Sequence, residues 1–424
     1  MSREMKHSGI PWIGEIPKEW SIGKLKHFYR FITGFTPDSK NESFYDESGM
    51  PWVTISDMDG KFVTGTKNGI SSNYISIKNP TIVPSNSLLY SFKLSVGQVA
   101  RTKFDVYTNE AIASFLPSDN ISLDYLFYSS QVCIIENANE NIYGAKLLNQ
   151  DLINNATIIF PPLSEQQKIA SFLDEKCSEI DEMVVLQEKI IEELKAYKQS
   201  VITEAVTKGL NPDVPMKDSG IEWIGEIPEN WEVKRLKNVF RLKTGTTPDG
   251  YDVMGEGDKI SWFTPSDISD ECNELYGSER SLLKSAVGDV ELFPLGSIMF
   301  VGIGASAGKL GYAQIEGYSN QQITALIPNG VNGKYFYYFL IADKRRLKDN
   351  AFFTTLPIIN NGYLSQNKVI CPPSSAQNKV VEYLDEKCSE IDSLISIKQS
   401  KIESLKEYKK SIIYEYVTGK KEVE

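Results

Sequence analysis

Asp174-Glu-Lys-Cys-Ser-Glu-Ile-Asp181 occurs twice in this chain, and its second copy, Asp385–Asp392, is identical. The offset between the copies is 211 residues in a chain of 424, which is about half the length. The same offset relates Ser8-Gly-Ile-Pro-Trp-Ile-Gly-Glu-Ile-Pro17 to Ser219-Gly-Ile-Glu-Trp-Ile-Gly-Glu-Ile-Pro228. Matches that keep one register over most of the chain indicate a tandem duplication.

A shorter motif between these segments also returns at the same offset. Gly34-Phe-Thr-Pro-Asp38 recurs as Gly245-Thr-Thr-Pro-Asp249, whereas most of the sequence around it differs between the copies. Two related domains with different surfaces suit two ligands, or two halves of one ligand. The alternative is a structural duplication whose copies diverged without functional consequence.

Each copy ends in a long amphipathic segment that follows a double proline, at Pro161-Pro162 and at Pro372-Pro373. Ser164 with Gln167 fits a capping box, and Ser375 is placed to cap the second segment. Apolar residues then recur at alternating steps of three and four, which predicts two antiparallel helices that pair through a coiled-coil seam. The predicted seam positions are Leu173, Cys177, Ile180, Val184, Ile191 and Leu194 in the first helix, and Leu384, Cys388, Ile391, Ile395, Ile402 and Leu405 in the second.

The duplication and the helices together predict two related domains that are separated by two long antiparallel coiled-coil helices. Residues 1–160 form the first domain with its N-terminal segment, 161–210 the first spacer helix, 211–371 a linker and the second domain, and 372–424 the second spacer helix. About 40 helical residues at ~1.5 Å each make a rod of ~60 Å. This length exceeds one turn of DNA, which is ~34 Å.

Composition limits the class of protein without identifying it. The formal net charge of −11 gives no independent support for nucleic-acid binding, although the acidic excess lies mainly in the first helical segment and the linker after it. No stretch reaches the ~20 apolar residues of a membrane span. No Cys-x-x-Cys pair occurs among the five cysteines, which are Cys133, Cys177, Cys272, Cys371 and Cys388. We therefore expect a cytoplasmic protein with reduced thiols and no membrane contact.

Basic clusters are the candidate DNA-binding residues, because phosphate contacts require cations and arginine also reads guanine in the major groove. The clusters in the first copy and at the start of the second occupy matched positions. The candidates are Lys24, Lys26, Arg30, Lys234, Arg235, Lys237, Arg241, Lys243, Arg345 and Arg346.

Motifs for catalysis are weak in this chain. Phe300-Val-Gly302-Ile-Gly304 matches the Phe-x-Gly-x-Gly loop by which many methyltransferases hold S-adenosylmethionine, but no Asn-Pro-Pro-Tyr or Asp-Pro-Pro-Tyr loop accompanies it. His7 and His27 do not lie near a cysteine or a paired carboxylate at ligand spacing, so metal and Ser-His-Asp catalysis are not expected. The Asp-x-Lys fragments at Asp174 and Asp385 are interpreted as solvated helical charges.

The ordered set of motifs resembles the specificity subunits of type I restriction-modification systems. The set comprises the Gly-Glu-Ile-Pro-x-x-Trp opening, the Gly-x-Thr-Pro turn, the segments Thr108-Asn109-Glu110 and Ser319-Asn320-Gln321-Gln322, and the Pro-Pro-Leu-Ser-Glu-Gln-Gln helix start. The resemblance covers essentially the whole chain. It is weaker at Ser374-Ser-Ala376, where the glutamate of the helix start is missing.

This resemblance implies that residues ~20–160 and ~231–371 are target-recognition domains of mixed α/β fold (α+β). Each of them would read one half of a split, asymmetric site in double-stranded DNA. The paired helices would set the gap between the half-sites. It also implies that this chain is not an enzyme. Two adenine-N6 methyltransferase subunits and two restriction subunits with motor and nuclease activity would carry the S-adenosylmethionine, ATP and magnesium.

Two other functions are left open by the residues alone. One is a self-contained DNA methyltransferase, which Phe300 to Gly304 would support and which binding of S-adenosylmethionine by the isolated chain would test. The other is a protein-binding scaffold with a coiled-coil spacer and no DNA role. Salt-sensitive binding to duplex DNA would argue against the scaffold.

Overall fold

The computed structural model describes residues 3–119, 121–140, 144, 146–247, 257–269, 274–284, 287, 290–349, 352–353 and 357–423. The chain divides into two compact units. Unit 1 comprises 1–187 with 400–424, and unit 2 comprises 188–399. Because each long helix contributes to both units, the units do not coincide with the four sequence segments defined above, whose boundaries stay a prediction.

Helices and strands alternate in a mixed α/β arrangement, as the sequence predicts. The helices are α1 (Ser72–Lys78), α2 (Leu123–Cys133), α3 (Gln150–Asn154), α4 (Leu163–Lys208), α5 (Gly333–Asp349), α6 (Asn361–Gln366) and α7 (Ser374–Val417). The strands are β1 (Met5–His7), β2 (Glu15–Pro17), β3 (Ser21–Lys24), β4 (Phe31–Thr33), β5 (Tyr45–Val53), β6 (Asn68–Ile70), β7 (Leu88–Ser91), β8 (Val99–Arg101), β9 (Tyr107–Thr108), β10 (Ile112–Phe115), β11 (Asn139–Glu140), β12 (Lys146–Leu147), β13 (Thr157–Phe160), β14 (Met216–Asp218), β15 (Glu226–Pro228), β16 (Glu232–Arg235), β17 (Phe240–Thr244), β18 (Lys259–Phe263), β19 (Glu274–Leu275), β20 (Ser281–Leu283), β21 (Ile298–Val301), β22 (Leu310–Ala313), β23 (Gly317–Ser319), β24 (Ile323–Pro328), β25 (Phe352–Phe353), β26 (Pro357–Ile358) and β27 (Lys368–Cys371).

Unit 1 is built on the antiparallel sheet β4-β10-β7-β8, in which Ala113 lies opposite Thr33 and Ile112 lies opposite Ser91. A second sheet has the order β6-β5-β9. Strands β7, β8 and β10 are buried and β4 is half-buried, so this sheet forms the interior of unit 1. The core of unit 1 joins this sheet to α2, to the first turns of α4 and to the last turns of α7.

Unit 2 repeats this frame with additional strands. Its main sheet has the order β17-β24-β21-β22-β19, and a second sheet has the order β20-β18-β23. Strands β17, β24, β21 and β22 occupy the places that β4, β10, β7 and β8 have in unit 1. Helix α5 packs on this sheet, and the core continues into the last turns of α4 and the first turns of α7. The duplication seen in the sequence is therefore a duplication of architecture.

Helices α4 and α7 pack together in antiparallel order within each unit. In unit 1 the rings of Phe172 and Tyr416 lie 4.4 Å apart, and the Lys409 amine lies 2.7 Å from the Asp181 carboxylate. In unit 2 the equivalent ion pair joins Lys198 to Asp392 at 2.6 Å. Each pair uses the last aspartate of the duplicated Asp-Glu-Lys-Cys-Ser-Glu-Ile-Asp motif. The predicted helix pairing is thus confirmed.

The predicted seam positions are buried or half-buried. Val184, Leu194 and Leu405 are half-buried, and the other predicted seam residues are buried. Gln187 occupies the step between Val184 and Ile191 and is also buried. A polar residue at a seam position costs stability and favours one register of the two helices.

The helix starts differ from the sequence prediction. Helix α4 begins at Leu163 and α7 at Ser374, so Ser164 and Ser375 lie inside the first turn instead of at the N-cap. Glutamine side chains connect these helix starts to the domains. The Gln166 amide donates to the Pro161 carbonyl at 2.9 Å and accepts from the Ser122 backbone N–H at 3.1 Å. Gln377 makes the corresponding pair of bonds in unit 2.

Among the described residues, none of the helices combines the length and the apolar character that crossing a bilayer requires.

Candidate nucleic-acid interface

Three segments meet at one end of the main sheet in unit 1, and we call them loop edge 1. They are residues 34–37 after β4, 92–98 between β7 and β8, and 109–111 before β10. The sheet register brings them together, and backbone bonds join them: Phe35 N–H donates to the Thr108 carbonyl at 2.8 Å, and Phe92 N–H donates to the Ala111 carbonyl at 3.0 Å. The opposite end of β10 leads to Ser122, which bonds to the start of α4.

Unit 2 carries the equivalent set, loop edge 2, which consists of residues 245–247, 302–309 and 320–322. Thr246 N–H donates to the Ser319 carbonyl at 2.9 Å, and Gly302 N–H donates to the Gln322 carbonyl at 2.8 Å. The two loop edges therefore share one backbone frame. Of the Gly-x-Thr-Pro-Asp turn in this copy, Pro248 and Asp249 lie outside the described residues.

Close approach of two backbones explains the glycine of the duplicated turn. A Cβ atom added at Gly34 would overlap the Thr108 carbonyl oxygen, and one added at Gly245 would overlap the Ser319 carbonyl oxygen. No other residue type fits this position without a shift of the backbone. The glycine therefore holds the turn directly against the strand that leads into the neighbouring loop segment.

Exposed side chains differ between the two loop edges although the frame is the same. In loop edge 1, Leu94 is 70% exposed beside the exposed Lys93. In loop edge 2, Ile303 is 38% exposed and forms an isolated backbone bridge with Ile358. The two loop edges therefore expose different side chains.

The Phe-x-Gly-x-Gly segment at residues 300–304 is part of this frame. Phe300 is buried in the core, Gly302 accepts a bond from the Ile359 N–H at 2.8 Å, and a Cβ added at Gly302 would lie 3.0 Å from the Ile359 carbonyl oxygen. The Gly304 N–H donates to the Pro357 carbonyl at 3.2 Å. Packing against Ile359 therefore accounts for Gly302, and the left-handed backbone at Gly304 (φ +101°) accounts for that glycine.

Six of the ten basic candidates form two equivalent groups, which we call the basic triplets. The triplet of unit 1 is Lys24, Lys26 and Arg30, and that of unit 2 is Arg235, Lys237 and Arg241. All six side chains are exposed. Lys24 and Arg235 each end a strand, β3 and β16. Lys26 and Lys237 lie in the short 3-10 helix that follows. Arg30 lies just before β4, and Arg241 lies at the start of β17.

Most of these cations have polar neighbours on the same surface. Lys24 donates to the Thr157 hydroxyl at 3.0 Å, and Lys26 donates to the Asn155 carboxamide at 2.8 Å. Arg235 donates to Gln366, and Arg241 pairs with Glu291. Such exposed contacts contribute little free energy, about 0–1 kcal/mol, so they can be exchanged for phosphate oxygens.

The remaining basic candidates have different surroundings. Lys234 pairs with Glu232 at 2.9 Å, Lys243 lies 3.8 Å from Glu291, and Arg345 is 95% exposed. Arg346 is bound to the interior: its guanidinium makes two bonds of 2.6 Å to Asp343, whose side chain is fully buried, and one bond to Asn367. These contacts give Arg346 a structural role in unit 2.

Asp174 and Asp385 are not the solvated helical charges that the sequence suggested. In unit 1 the Tyr128 hydroxyl donates to Asp174 at 2.6 Å, and Lys61 pairs with the same carboxylate. In unit 2 the Tyr338 hydroxyl donates to Asp385 at 2.6 Å, and Lys334 pairs with it at 2.8 Å. The first aspartate of the duplicated motif therefore connects the sheet domain of each unit to its long helix.

We expect Lys334→Met to destabilise unit 2 by about 1–2 kcal/mol. Lys334 is 16% exposed and bridges Asp385 and Glu274, so its loss leaves two partly buried carboxylates without this cation. The partial exposure of both carboxylates reduces the cost below that of a fully buried pair. Denaturant unfolding with hydrogen exchange of the α5 amides as the readout measures the free energy of unfolding of unit 2. Lys401→Met at an exposed site on α7 is the control, and an equal loss in both variants would contradict the assignment.

Sequence reasoning missed several of these positions. Gln166 and Gln377 belong to the motif at the helix starts, but only the fold shows that they bind the domain. Glu110 and Gln321 lie within sequence motifs, but nothing in the motifs marks them as site residues. Within the part of the chain that the structure describes, His, Cys, Asp and Glu residues form no group that could hold a metal ion.

Comparison with known proteins agrees with this arrangement. The model of the type I restriction modification DNA specificity domain matches residues 17–196 and 228–407. The chain is 24% identical over 400 residues to the MjaIX type I restriction enzyme specificity subunit of Methanocaldococcus jannaschii, covering 88% of this chain and 89% of that one. It is 26% identical over 435 residues to the MjaVIII specificity subunit of the same organism, covering 96% and 94%.

The fold also matches a solved structure. A chain from a study of complex assembly and conformational transition of the type I R-M system superposes with a TM-score of 0.75 at 17% identity, covering 95% of this chain and 98% of that chain. The two matched segments of the family model each contain one loop edge and one basic triplet. This chain, with two copies of the domain, belongs to the family of type I restriction-modification DNA specificity subunits.

Proposed function

We propose that this chain reads a bipartite, asymmetric DNA site, with one recognition domain on each half-site. The observation that carries the proposal is the pair of loop edges, because one backbone frame presents different side chains in the two units. A common frame positions both domains on DNA in the same way, and different side chains select different bases. The site is therefore split and its halves differ in sequence.

The basic triplets support the same proposal. Cations at three matched positions in both units are suited to contact phosphate oxygens, which fix the position of a protein on DNA without reading sequence. The net charge of −11 does not oppose this, because binding depends on the local surface.

Exposed apolar residues on the long helices support docking of two copies of one partner. Met183 and Leu186 on α4 are 45% and 54% exposed, and Leu394 and Ile397 on α7 are 46% and 61% exposed. The second pair lies 211 residues after the first, so the duplication presents the same surface twice. Exposed apolar groups of this kind mark protein contacts.

By the family's organisation, we propose that these partners are two adenine-N6 methyltransferase subunits and that two restriction subunits complete the complex. S-adenosylmethionine, ATP and magnesium are then held by the partners, and this chain contributes recognition. The target adenine must leave the base stack to reach a methyltransferase active site, so the recognition domains hold the DNA on either side of it.

The direct test is to co-express the chain with the methyltransferase encoded beside it and to map adenine methylation across a bacterial genome by long-read sequencing. The expected result is one new split motif, with two different short half-sites around a fixed gap. An assembled complex that binds S-adenosylmethionine and methylates no motif would overturn the proposal and favour a scaffold without a DNA role.

We expect replacement of Lys24, Lys26 and Arg30 by glutamine to weaken DNA binding to the same degree for all sequences. Each phosphate contact contributes about −0.9 to the slope of log K against log salt, so loss of three contacts reduces the slope by about 2.7. Fluorescence anisotropy at several salt concentrations measures this slope. Glutamine at Lys401, Lys406 and Lys410 removes the same charge from α7 as a control, and equal effects would indicate a general charge effect instead of contacts.

A further inference from the structure

A hydroxyl group holds one polar side chain at the same place on each loop edge. In loop edge 1 the Thr36 hydroxyl donates to Oε2 of Glu110. In loop edge 2 the Thr247 hydroxyl donates to Oε1 of Gln321 at 2.8 Å. Both threonines belong to the Gly-x-Thr-Pro turn, and the members of each equivalent pair are 211 residues apart. The two arrangements thus share the anchor and differ only in the anchored side chain.

The anchored groups are on the surface and in reach of a ligand. Glu110 and Gln321 are both exposed, and each follows directly on the asparagine that closes the loop before β10 or β24. Asn109 and Asn320 bond their own loop backbones at 3.1 Å, to the N–H of Ala111 and of Gln322. The backbone under both side chains is therefore ordered by bonds that do not use the outward polar atoms.

The free end of the side chain has opposite character in the two units. The hydrogen bond from Thr36 lowers the pKa of Glu110, with a smaller contribution from Lys93, so the carboxylate is charged at neutral pH and its Oε1 can only accept. In Gln321 the oxygen accepts the bond from Thr247, and the Nε2 group, which can only donate, has no partner among the residues that the structure describes.

We propose that Glu110 and Gln321 are specificity-determining residues for the two half-sites, with Glu110 accepting from a base amine and Gln321 donating to a base acceptor in the major groove. This rests on the proposed function. In the major groove, cytosine N4 and adenine N6 are donors, whereas guanine O6, thymine O4 and the purine N7 atoms are acceptors. Cytosine is the preferred partner of a carboxylate, whereas an amide that donates is suited to guanine O6, thymine O4 or a purine N7.

A carboxylate on a DNA-binding surface also rejects wrong bases. Glu110 meets unfavourable charge from phosphates, and a base without an amine leaves it desolvated and unpaired. The same penalty applies to the free amide of Gln321 opposite a base amine. Unpaired polar groups of this kind discriminate more strongly than an added favourable contact alone.

The test exchanges the two chemistries in the co-expressed complex. Glu110→Gln and Gln321→Glu change the free end of the side chain while they keep its length and an oxygen for the threonine to bind. Long-read methylation maps then give the base preference at every position of both half-sites. We expect Glu110→Gln to change the preferred base at one position of one half-site, by about 5- to 150-fold in preference, and to leave the other half-site unchanged. We expect Gln321→Glu to change the preferred base at one position of the other half-site and to leave the first half-site unchanged.

Three controls keep the outcome interpretable. Thr36→Ser retains the hydroxyl donor and should keep the parent motif, whereas Thr36→Val removes it and should broaden the preference at that same position. Glu47→Gln neutralises another exposed carboxylate of unit 1 and should change nothing. If a variant methylates no genomic site, the base preference of its complex is measured by selection from a library of randomised duplexes.

An unchanged preference in both exchanged variants overturns this inference and leaves the proposed function intact. A parent complex that assembles and recognises no motif is instead a failure of the proposed function.

Discussion

Val417→Asp is expected to unfold most of unit 1 and to leave unit 2 protected. Val417 on α7 is fully buried in the core of unit 1, and its carbonyl accepts a bond of 3.1 Å from the buried Tyr125 hydroxyl. A carboxylate at this position would be buried among the apolar side chains of that cluster, and the lost apolar burial adds ~1.5–3 kcal/mol. A total of about 4 kcal/mol or more is a large share of the 5–15 kcal/mol that stabilises a domain.

The duplication supplies a matched variant for this prediction. Val206 on α4 is fully buried in the core of unit 2, and its carbonyl accepts from the Tyr335 hydroxyl at 2.8 Å. Hydrogen exchange followed by mass spectrometry should therefore show loss of protection in β7, β10 and α2 for Val417→Asp, and in β21, β24 and α5 for Val206→Asp. Lys401→Asp, at an exposed site of α7, should affect neither unit. Loss of protection in both units from each buried variant would contradict the division of the chain.

The repeated sequence motifs are enough to predict the domain organisation, because both copies keep the residues that form the same backbone arrangement. Two related domains and two paired helices follow from the repeated motifs and the apolar period, whereas the mixed α/β fold of each domain follows from the family resemblance. The sequence shows Gly34 and Gly245 as matching residues of the two copies. It does not show why glycine is required there, because the carbonyl oxygens of Thr108 and Ser319 approach these positions only in the folded sheet.

The partners of the duplicated aspartates could not be predicted for a related reason. Lys61 and Lys334 reach Asp174 and Asp385 from positions that are not equivalent in the two copies, so comparison of the copies does not reveal them. An Asp-x-Lys fragment on an amphipathic helix then looks like ordinary surface charge. The tyrosines that complete each site lie on α2 and α5, far away in the sequence.

Arg346 shows the limit of reading charge clusters. It lies in a run of basic residues, which favoured DNA contact, but burial of Asp343 beside it was not visible in the sequence. Desolvation raises the pKa of Asp343, and the bonds from Arg346 and Asn367 oppose that rise. A cation that stabilises a buried carboxylate is held in place by it, which distinguishes Arg346 from the exposed basic triplets.

Gly34→Ala is expected to reduce recognition of one half-site by about 100-fold while the rest of the protein stays folded. The added Cβ would overlap the Thr108 carbonyl oxygen, so the turn must move away from the strand by a substantial part of an ångström. Overpacking of this kind costs about 1–3 kcal/mol. The turn carries Thr36, so the displacement also shifts the anchored Glu110 on the recognition surface. Contacts that read bases depend on position within about 0.5 Å.

Gly65→Ala is the matched control for this variant, because a Cβ added at Gly65 meets no atom within 4 Å and its backbone is not left-handed. In unit 2, Gly245→Ala and Gly277→Ala form the corresponding pair, since a Cβ at Gly245 would overlap Ser319 whereas one at Gly277 meets no atom within 4 Å. Binding of the assembled complex to duplexes in which one half-site at a time is randomised separates the two units. Gly34→Ala should lose discrimination in one half-site and Gly245→Ala in the other. Equal loss in both half-sites from either variant would mean that the turns act on the stability of the whole chain, and unchanged discrimination would mean that the loop edges do not face the DNA.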